Sequence, residues 1–236
     1  MNGADRGPPH RHVGTMAPAI RLIVFDLDGT LIDSTQDIAS AVNATLRRLA
    51  PGRAPLPMET VRSFIGDGVR ELIARSLAEA GVSTPLDDAQ AVFLRCYRDC
   101  MLETTRLHQG VAPALARLAS RTLSVLSNKP GELSREILAA LGVAGRFARI
   151  YGGGDVPGRK PDPGGLLRLM EEAGARRRET LMVGDSPVDV RTGKAAGVGT
   201  AGVTYGLDPA GVAAEGPDML FESLEGLADR LQGRDL

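Results

Sequence analysis

Apolar residues follow two rhythms along this chain. Short aliphatic runs alternate with stretches in which apolar positions recur every three or four residues. The first run, Leu22-Ile23-Val24-Phe25, has no polar position and stops at Asp26. A run of that length and composition predicts a strand buried on both faces. Similar runs over 122–126, 148–151, 180–183 and 198–203 predict further strands, with 219–221 as an edge strand. Between them the helical spacing covers 111–120, 130–141, 162–174 and 187–196, with Pro187 suited to a first turn. Strands alternating with helices predict an α/β fold with a parallel sheet covered on both faces.

One segment breaks the alternation. From about 35 to 107 the pattern is helical throughout. Ser34 can cap a helix carrying Ile38, Val42, Leu46 and Leu49. A short helix follows over 59–64, and Gly66-Asp67-Gly68 interrupts the chain. Val69, Leu72, Ile73 and Leu77 form the next stripe, up to Gly81. A longer helix is expected over 85–107, with Ala91, Leu94, Tyr97, Cys100 and Met101 inward. This is a poor continuation of a βα repeat and a good inserted helical bundle.

Composition narrows the function. The chain has 236 residues, 28 basic and 29 acidic, with formal net charge -1. That balance gives no bulk attraction to nucleic acid or an anionic membrane. Trp is absent and aromatics are 3%, so base-stacking platforms are not expected. Cys96 and Cys100 suit a core, and no disulfide framework or zinc spacing is present, as in a reducing cytoplasm. Residues 1–19 are rich in Gly, Pro, His and Arg and are expected to be a disordered tail, with Met16 as an alternative start. No apolar run reaches membrane length.

The chemistry collects at the predicted strand ends. The first strand ends in Asp26-Leu27-Asp28-Gly29-Thr30. Two carboxylates at the mouth of a buried strand are costly to ionise together, and a divalent cation is the simplest way to hold both charged. The same residues also suit an ordinary Asp-Gly turn. The second strand ends in Ser127-Asn128-Lys129 before Pro130-Gly131, a hydroxyl and helix-start amides suited to an anion. Lys160 lies between Arg159 and Pro161, just before a helix. The fourth strand ends in Gly184-Asp185-Ser186, with Asp189 one turn on. A basic anion site beside carboxylates reads as phosphate plus a hard divalent cation.

These four segments, in this order, resemble the motifs of the haloacid-dehalogenase-like phosphatases over residues 20–205. The looser segments Phe64-Ile-Gly-Asp-Gly68, Gly152-Gly-Gly-Asp-Val156 and Val203-Thr-Tyr-Gly206 are similar to the bacterial phosphoglycolate phosphatases within that family. The resemblance implies a Rossmann-like catalytic core from 20–33 and 110–236, with an α-helical cap over 34–109. It implies a Mg2+-dependent phosphomonoesterase acting on a small phosphorylated metabolite through an aspartyl-phosphate. Asp26 is then the nucleophile and Asp28 the acid and base. Asp26, the Asp28 backbone carbonyl and Asp185 hold the metal, with Ser186 and Asp189 behind them or Asp189 as a further ligand. Gly29, Thr30, Ser127, Asn128 and Lys160 are expected around the phosphate. Gly66, Asp67, Gly68 and Arg70 are candidates for leaving-group selection, Arg70 being either a carboxylate partner or a solvated helix arginine. Hinges are expected around Asp33 and 108–110.

Rival activities remain open. A pyrophosphatase, sugar-phosphate phosphatase or mutase fits the same core, although mutases tend to carry Val where Thr30 stands. A dehalogenase has no need of Asp28. A Schiff-base phosphonatase is excluded, because no lysine lies between Asp33 and Gln109. A phosphate-binding module without catalysis would not need Asp28 either.

Overall fold

The structure is a computed structural model and describes residues 20–233, so the tail expected over 1–19 lies outside the described residues. The chain opens with β1 (Leu22–Phe25) and β2 (Ile32–Asp33). Four helices follow: α1 (Thr35–Leu49), α2 (Met58–Arg62), α3 (Val69–Ala80) and α4 (Leu86–Cys100). Next come β3 (Arg106–Leu107), α5 (Val111–Arg117), β4 (Thr122–Pro130), α6 (Gly131–Ala140), β5 (Arg149–Gly153) and α7 (Gly164–Ala173). The last elements are β6 (Thr180–Gly184), α8 (Pro187–Ala196), β7 (Gly199–Val203), α9 (Pro209–Ala214), β8 (Met219–Phe221) and α10 (Leu224–Leu231).

Six strands form one parallel sheet in the order β5-β4-β1-β6-β7-β8. The apolar run of β1 is central, and its side chains alternate between two cores. Leu22 and Val24 pack with Leu126, Leu166, Leu169 and Met182 on one face. Ile23 and Phe25 join Val125, Leu133, Val183 and Leu115 on the other. Phe25 is in register with both Val125 and Val183, so the ends of β4, β1 and β6 come level. The chain leaves β1 for β4 on one side and later returns to β6 on the other. The carboxyl end of β1 is therefore the switch point where such sheets bind ligands.

Helices α1 to α4 share the larger core with the sheet through Ile38, Val42, Val61, Ile73, Phe93 and Tyr97. Each such fully buried side chain contributes about 1.5–3 kcal/mol. They form the α-helical cap of a Rossmann-like core.

Three expectations need correction. The long helix ends at Cys100, not near 107, because residues 106–107 pair antiparallel with 32–33. Its buried stripe is Ala89, Phe93, Cys96 and Tyr97, rotated from the expected one, and Ala91 is exposed. Ser34 stands at the start of α1 without a side-chain cap bond, since its hydroxyl is drawn to Asp28. Helix α9 and the β2–β3 ribbon had no expectation. The ribbon closes the place where the chain enters and leaves the helical insertion. Beside it, buried Asp37 accepts from the backbone and hydroxyls of Thr104 and Thr105 at 2.6–3.1 Å. Among the described residues no helix is long and apolar enough to cross a membrane.

Candidate active site

Past Phe25 the chain winds into a tight turn, in which the amides of Thr30, Leu31 and Ile32 all donate to the Leu27 carbonyl. Gly29 in that turn has φ 90°, and a Cβ there would meet Asp185 Oδ2 at 2.2 Å. Only glycine permits both the conformation and the approach. The turn presents Asp26 and Asp28 to different partners.

Asp26 points at the end of β6. Its Oδ1 accepts from Lys160 Nζ at 2.6 Å, and the same ammonium reaches Asp189 Oδ1 at 2.6 Å. Asp189 sits in the first turn of α8, where its Oδ2 accepts from the Ser186 hydroxyl at 2.7 Å. Asp185 accepts from the Thr30 hydroxyl at 2.8 Å and from the Leu207 amide at 2.7 Å. Asp26, Asp185 and Asp189 each offer an oxygen, and these lie within 4.8 Å of one another. All three are buried. Burial pushes Asp26 up to about 7 although Lys160 pulls it down, and Asp189 and Asp28 add repulsion. Asp185 is raised well above the carboxylate range, by burial first and then by Asp26 and Asp189. Lys160 is raised, because the pull of Asp189 and Asp26 outweighs burial.

Asp28 turns the other way. Its Oδ1 accepts from Lys129 Nζ at 2.7 Å and from the Ser34 hydroxyl at 2.5 Å. Its carboxylate is thus outside the three-aspartate cluster. Four carboxylates and two lysines leave two negative charges at the site, the charge that one divalent cation balances. Hard oxygen donors in this number suit Mg2+ or a similar ion. The residues present therefore fit a divalent metal.

Several expected roles change. The Thr30 side chain is fully buried and spent on Asp185, while its carbonyl accepts from the Tyr205 hydroxyl at 2.7 Å. The Gly29 amide donates to the Ile32 carbonyl, so neither residue is free for phosphate. Asn128 is a strut: its amide clamps the backbone N–H and carbonyl of Lys160 and also donates to the Gly66 carbonyl at 3.0 Å. Ser127 keeps its place beside Asp26 and Asp28, and its oxygen accepts from the Lys129 amide at 3.2 Å. Its own hydrogen is left for an anion.

A cavity of about 40 Å3 opens over Asp26, Asp28 and Ser127. Its roof is Ile38, Ile65, Val69, Leu72, Phe93 and Tyr97 from the helices, with Gly66 and Gly68 at the rim. Arg70 does not reach it. The guanidinium pairs with Asp87 at 2.5 Å on the surface of the insertion, both side chains exposed. Asp67 is likewise taken by Arg75 at 2.6 Å. The reason is helical geometry: Val69 and Leu72 face the cavity, which turns the intervening Arg70 outward. Lys129 carried no expectation of its own and Tyr97 only that of an inward-facing helix residue, yet both line the cavity. The signal for Lys129 was its place in the strand-end segment before Pro130.

The fold and this site define a haloacid-dehalogenase-like enzyme. The family model described as haloacid dehalogenase-like hydrolase matches residues 23–203, and the chain belongs to that family as a phosphatase. It is 38% identical over 215 residues to the phosphoglycolate phosphatase of Pseudomonas putida, covering 88% of this chain and 78% of that one. To the phosphoglycolate phosphatase of Rhodospirillum rubrum it is 36% identical over 221 residues, covering 89% and 90%. A crystal structure of a predicted phosphoglycolate phosphatase from Haemophilus somnus 129pt superposes with TM-score 0.83 at 29% identity, covering 92% and 98%.

Proposed function

We propose that the chain is a Mg2+-dependent phosphoglycolate phosphatase working through an aspartyl-phosphate on Asp26. The observation that carries the substrate is the cavity. At about 40 Å3 it is tight, which favours a leaving group of a few non-hydrogen atoms over a sugar ring, a polynucleotide or a phosphoprotein. The relatives named above support the same reading.

In the proposed reaction an Asp26 oxygen attacks phosphorus while the bond from phosphorus to the ester oxygen breaks. Asp28 gives a proton to that leaving oxygen. Asp28 then takes a proton from water, which attacks the aspartyl-phosphate, releases phosphate and restores Asp26. Lys160 orients Asp26 and offsets phosphate charge, and the Ser127 hydroxyl donates to a phosphate oxygen. Asp26, Asp185 and the Asp28 carbonyl would hold Mg2+, with Ser186 and Asp189 behind them or Asp189 among the ligands. When bound, the ion neutralises the charge that otherwise keeps carboxylate and phosphate apart. Residues 34–109 act as a cap that closes on the core segments 20–33 and 110–236 and excludes water during attack. The hydrogen bonds that span that closure include Arg62 to the Gly206 carbonyl at 2.9 Å and Asn128 to the Gly66 carbonyl.

Phosphate release tests the reading, with phosphoglycolate, pyrophosphate, β-glucose 1-phosphate and p-nitrophenyl phosphate as substrates. Phosphoglycolate should give the highest kcat/KM. EDTA should abolish turnover, Mg2+ should restore it, and Ca2+, with its looser and higher coordination, should not. A tenfold preference for pyrophosphate or a sugar phosphate overturns the substrate assignment. Conversion of glucose 1-phosphate to glucose 6-phosphate without phosphate release overturns the hydrolase reading in favour of a mutase.

A further inference from the structure

The cavity that receives the leaving group is apolar except at one end. Among the described residues lining it, Lys129 is the one cation. Its ammonium is buried, 2.7 Å from Asp28 Oδ1 and 4.7 Å from the centroid of the Tyr97 ring. An ammonium has three N–H donors, and Asp28 Oδ1 takes one of them. Beside it the Tyr97 hydroxyl is buried against the ammonium, and its own hydrogen meets no acceptor. A buried orphan hydroxyl costs about 1–3 kcal/mol, so its retention in a cavity wall points to a ligand group that completes it. Phe93 stacks on Tyr97 at 5.6 Å and fixes the ring that carries the hydroxyl.

We propose that Lys129 and the Tyr97 hydroxyl together bind a second anionic group on the leaving-group side of the substrate, a carboxylate one carbon from the ester oxygen. The proposal rests on the phosphoglycolate reading and names the residues that select that acid. On substrate entry Lys129 passes one N–H to the incoming carboxylate and Tyr97 donates its O–H to the same group. With Asp28 carrying the proton that it gives to the leaving oxygen, the charge of Lys129 is left to the incoming carboxylate, which a carboxylate in an apolar cavity requires. The remaining walls, Ile38, Ile65, Val69, Leu72 and Phe93, offer nothing to the hydroxyls of a polyol. Lys129 comes from β4 of the core and Tyr97 from α4 of the insertion, so the pair exists only when the two are seated together. Burial pushes the Tyr97 hydroxyl up to about 12, which keeps it a neutral donor, and the pull of Asp28 keeps Lys129 charged despite burial.

The test compares kcat/KM for phosphoglycolate and for 2-hydroxyethyl phosphate, which replaces the carboxylate with an alcohol. Both are measured in the Mg2+-loaded enzyme. The ratio of the two is the readout, because Lys129 also touches Asp28 and its loss lowers every rate. Wild type should favour the acid. Lys129→Met should lower that ratio by roughly a hundredfold and Tyr97→Phe by about tenfold, as expected for bonds to a charged group. Tyr97→Phe removes a hydroxyl whose hydrogen meets no acceptor and keeps the ring stacked on Phe93, so the fold is retained. Lys129→Gln, which keeps an N–H for Asp28 and drops the charge, serves if circular dichroism shows Lys129→Met unfolded. A ratio within threefold of wild type in the folded Lys129 variant and in Tyr97→Phe overturns the inference and leaves the substrate assignment standing. A wild-type ratio near one overturns the substrate assignment itself, and the inference with it.

Discussion

Removing the proposed nucleophile should stabilise the metal-free protein. Three buried carboxylates, Asp26, Asp185 and Asp189, surround the single ammonium of Lys160. Burial and mutual repulsion hold Asp26 at about 7 against an ordinary 3.8. A gap of about three pH units corresponds to about 4 kcal/mol against the ionised folded state, at 1.36 kcal/mol per unit. Asp26→Asn is nearly isosteric, keeps an acceptor for Lys160 and leaves that lysine paired with Asp189. The position of Asp26 at about 7 already includes the pull of Lys160; allowing for relaxation and water entry around a buried charge, about half, some 2 kcal/mol, is a reasonable net. For a chain of this length that raises Tm by about 4–8 °C.

The assay is a thermal melt in EDTA at pH 7.5, paired with phosphate release in Mg2+. The sign follows from proton binding. The folded state holds the Asp26 proton more tightly than the unfolded chain does. Metal-free wild type therefore loses stability as pH rises from about 4 to about 7, and Asp185 adds to the same slope. Asp26→Asn should show a shallower fall across that window. A variant that melts at or below wild type in EDTA refutes the charge argument. Retention of more than a tenth of wild-type kcat refutes Asp26 as nucleophile.

Two further outcomes follow from side chains away from the phosphate. Arg70→Ala should leave kcat/KM on phosphoglycolate within about twofold, since an exposed ion pair with Asp87 contributes about 0–1 kcal/mol and touches no substrate; a tenfold loss would return Arg70 to the site. Asp37→Ala leaves four donors of Thr104 and Thr105 without their acceptor and should cost about 3–5 kcal/mol, a Tm drop of roughly 6–20 °C at pH 7. Burial alone would raise the Asp37 carboxyl, but the hydrogen bonds outweigh it and hold it below the usual range. Its contribution is therefore present above about pH 4 and lost as pH falls further, so the wild-type and variant melts should converge in acid.

The order of strands and helices was legible because runs such as Leu22–Phe25, and Leu181-Met182-Val183 within β6, are buried on both faces and carry no polar position. The ends of β1 and β6 were legible for the same reason, as the change from apolar residues to Asp26 or to Gly184-Asp185, whereas β4, expected to stop at 126, runs on through Ser127 to Pro130. What escaped were features that depend on distant partners. Residues 106–107 carry no strand pattern of two residues' length; they pair only because 32–33 lie opposite. The stripe of α4 was misjudged because Ala91 and Ala89 are equally plausible inward residues until a neighbouring helix chooses. Thr30 and Asn128 were placed on phosphate from their position, whereas Asp185 and Lys160, far away in sequence, claim their side chains.

The division of labour between Asp26 and Asp28 is the clearest case of chemistry set by tertiary partners. In sequence they are two carboxylates separated by one leucine, with nothing to tell them apart. In the fold each meets its own lysine. Lys160 ties Asp26 into a cluster of three carboxylates, where the proposed metal ion would bind and from which Asp26 is proposed to attack phosphorus. Lys129 and Ser34 hold Asp28 on the leaving-group side, under the roof of the cavity. The proposed roles, an anionic nucleophile and an acid that trades a proton, call for different electrostatic surroundings. The tight turn at Gly29 sends them into two, and the two lysines at the ends of separate core segments make those surroundings unequal.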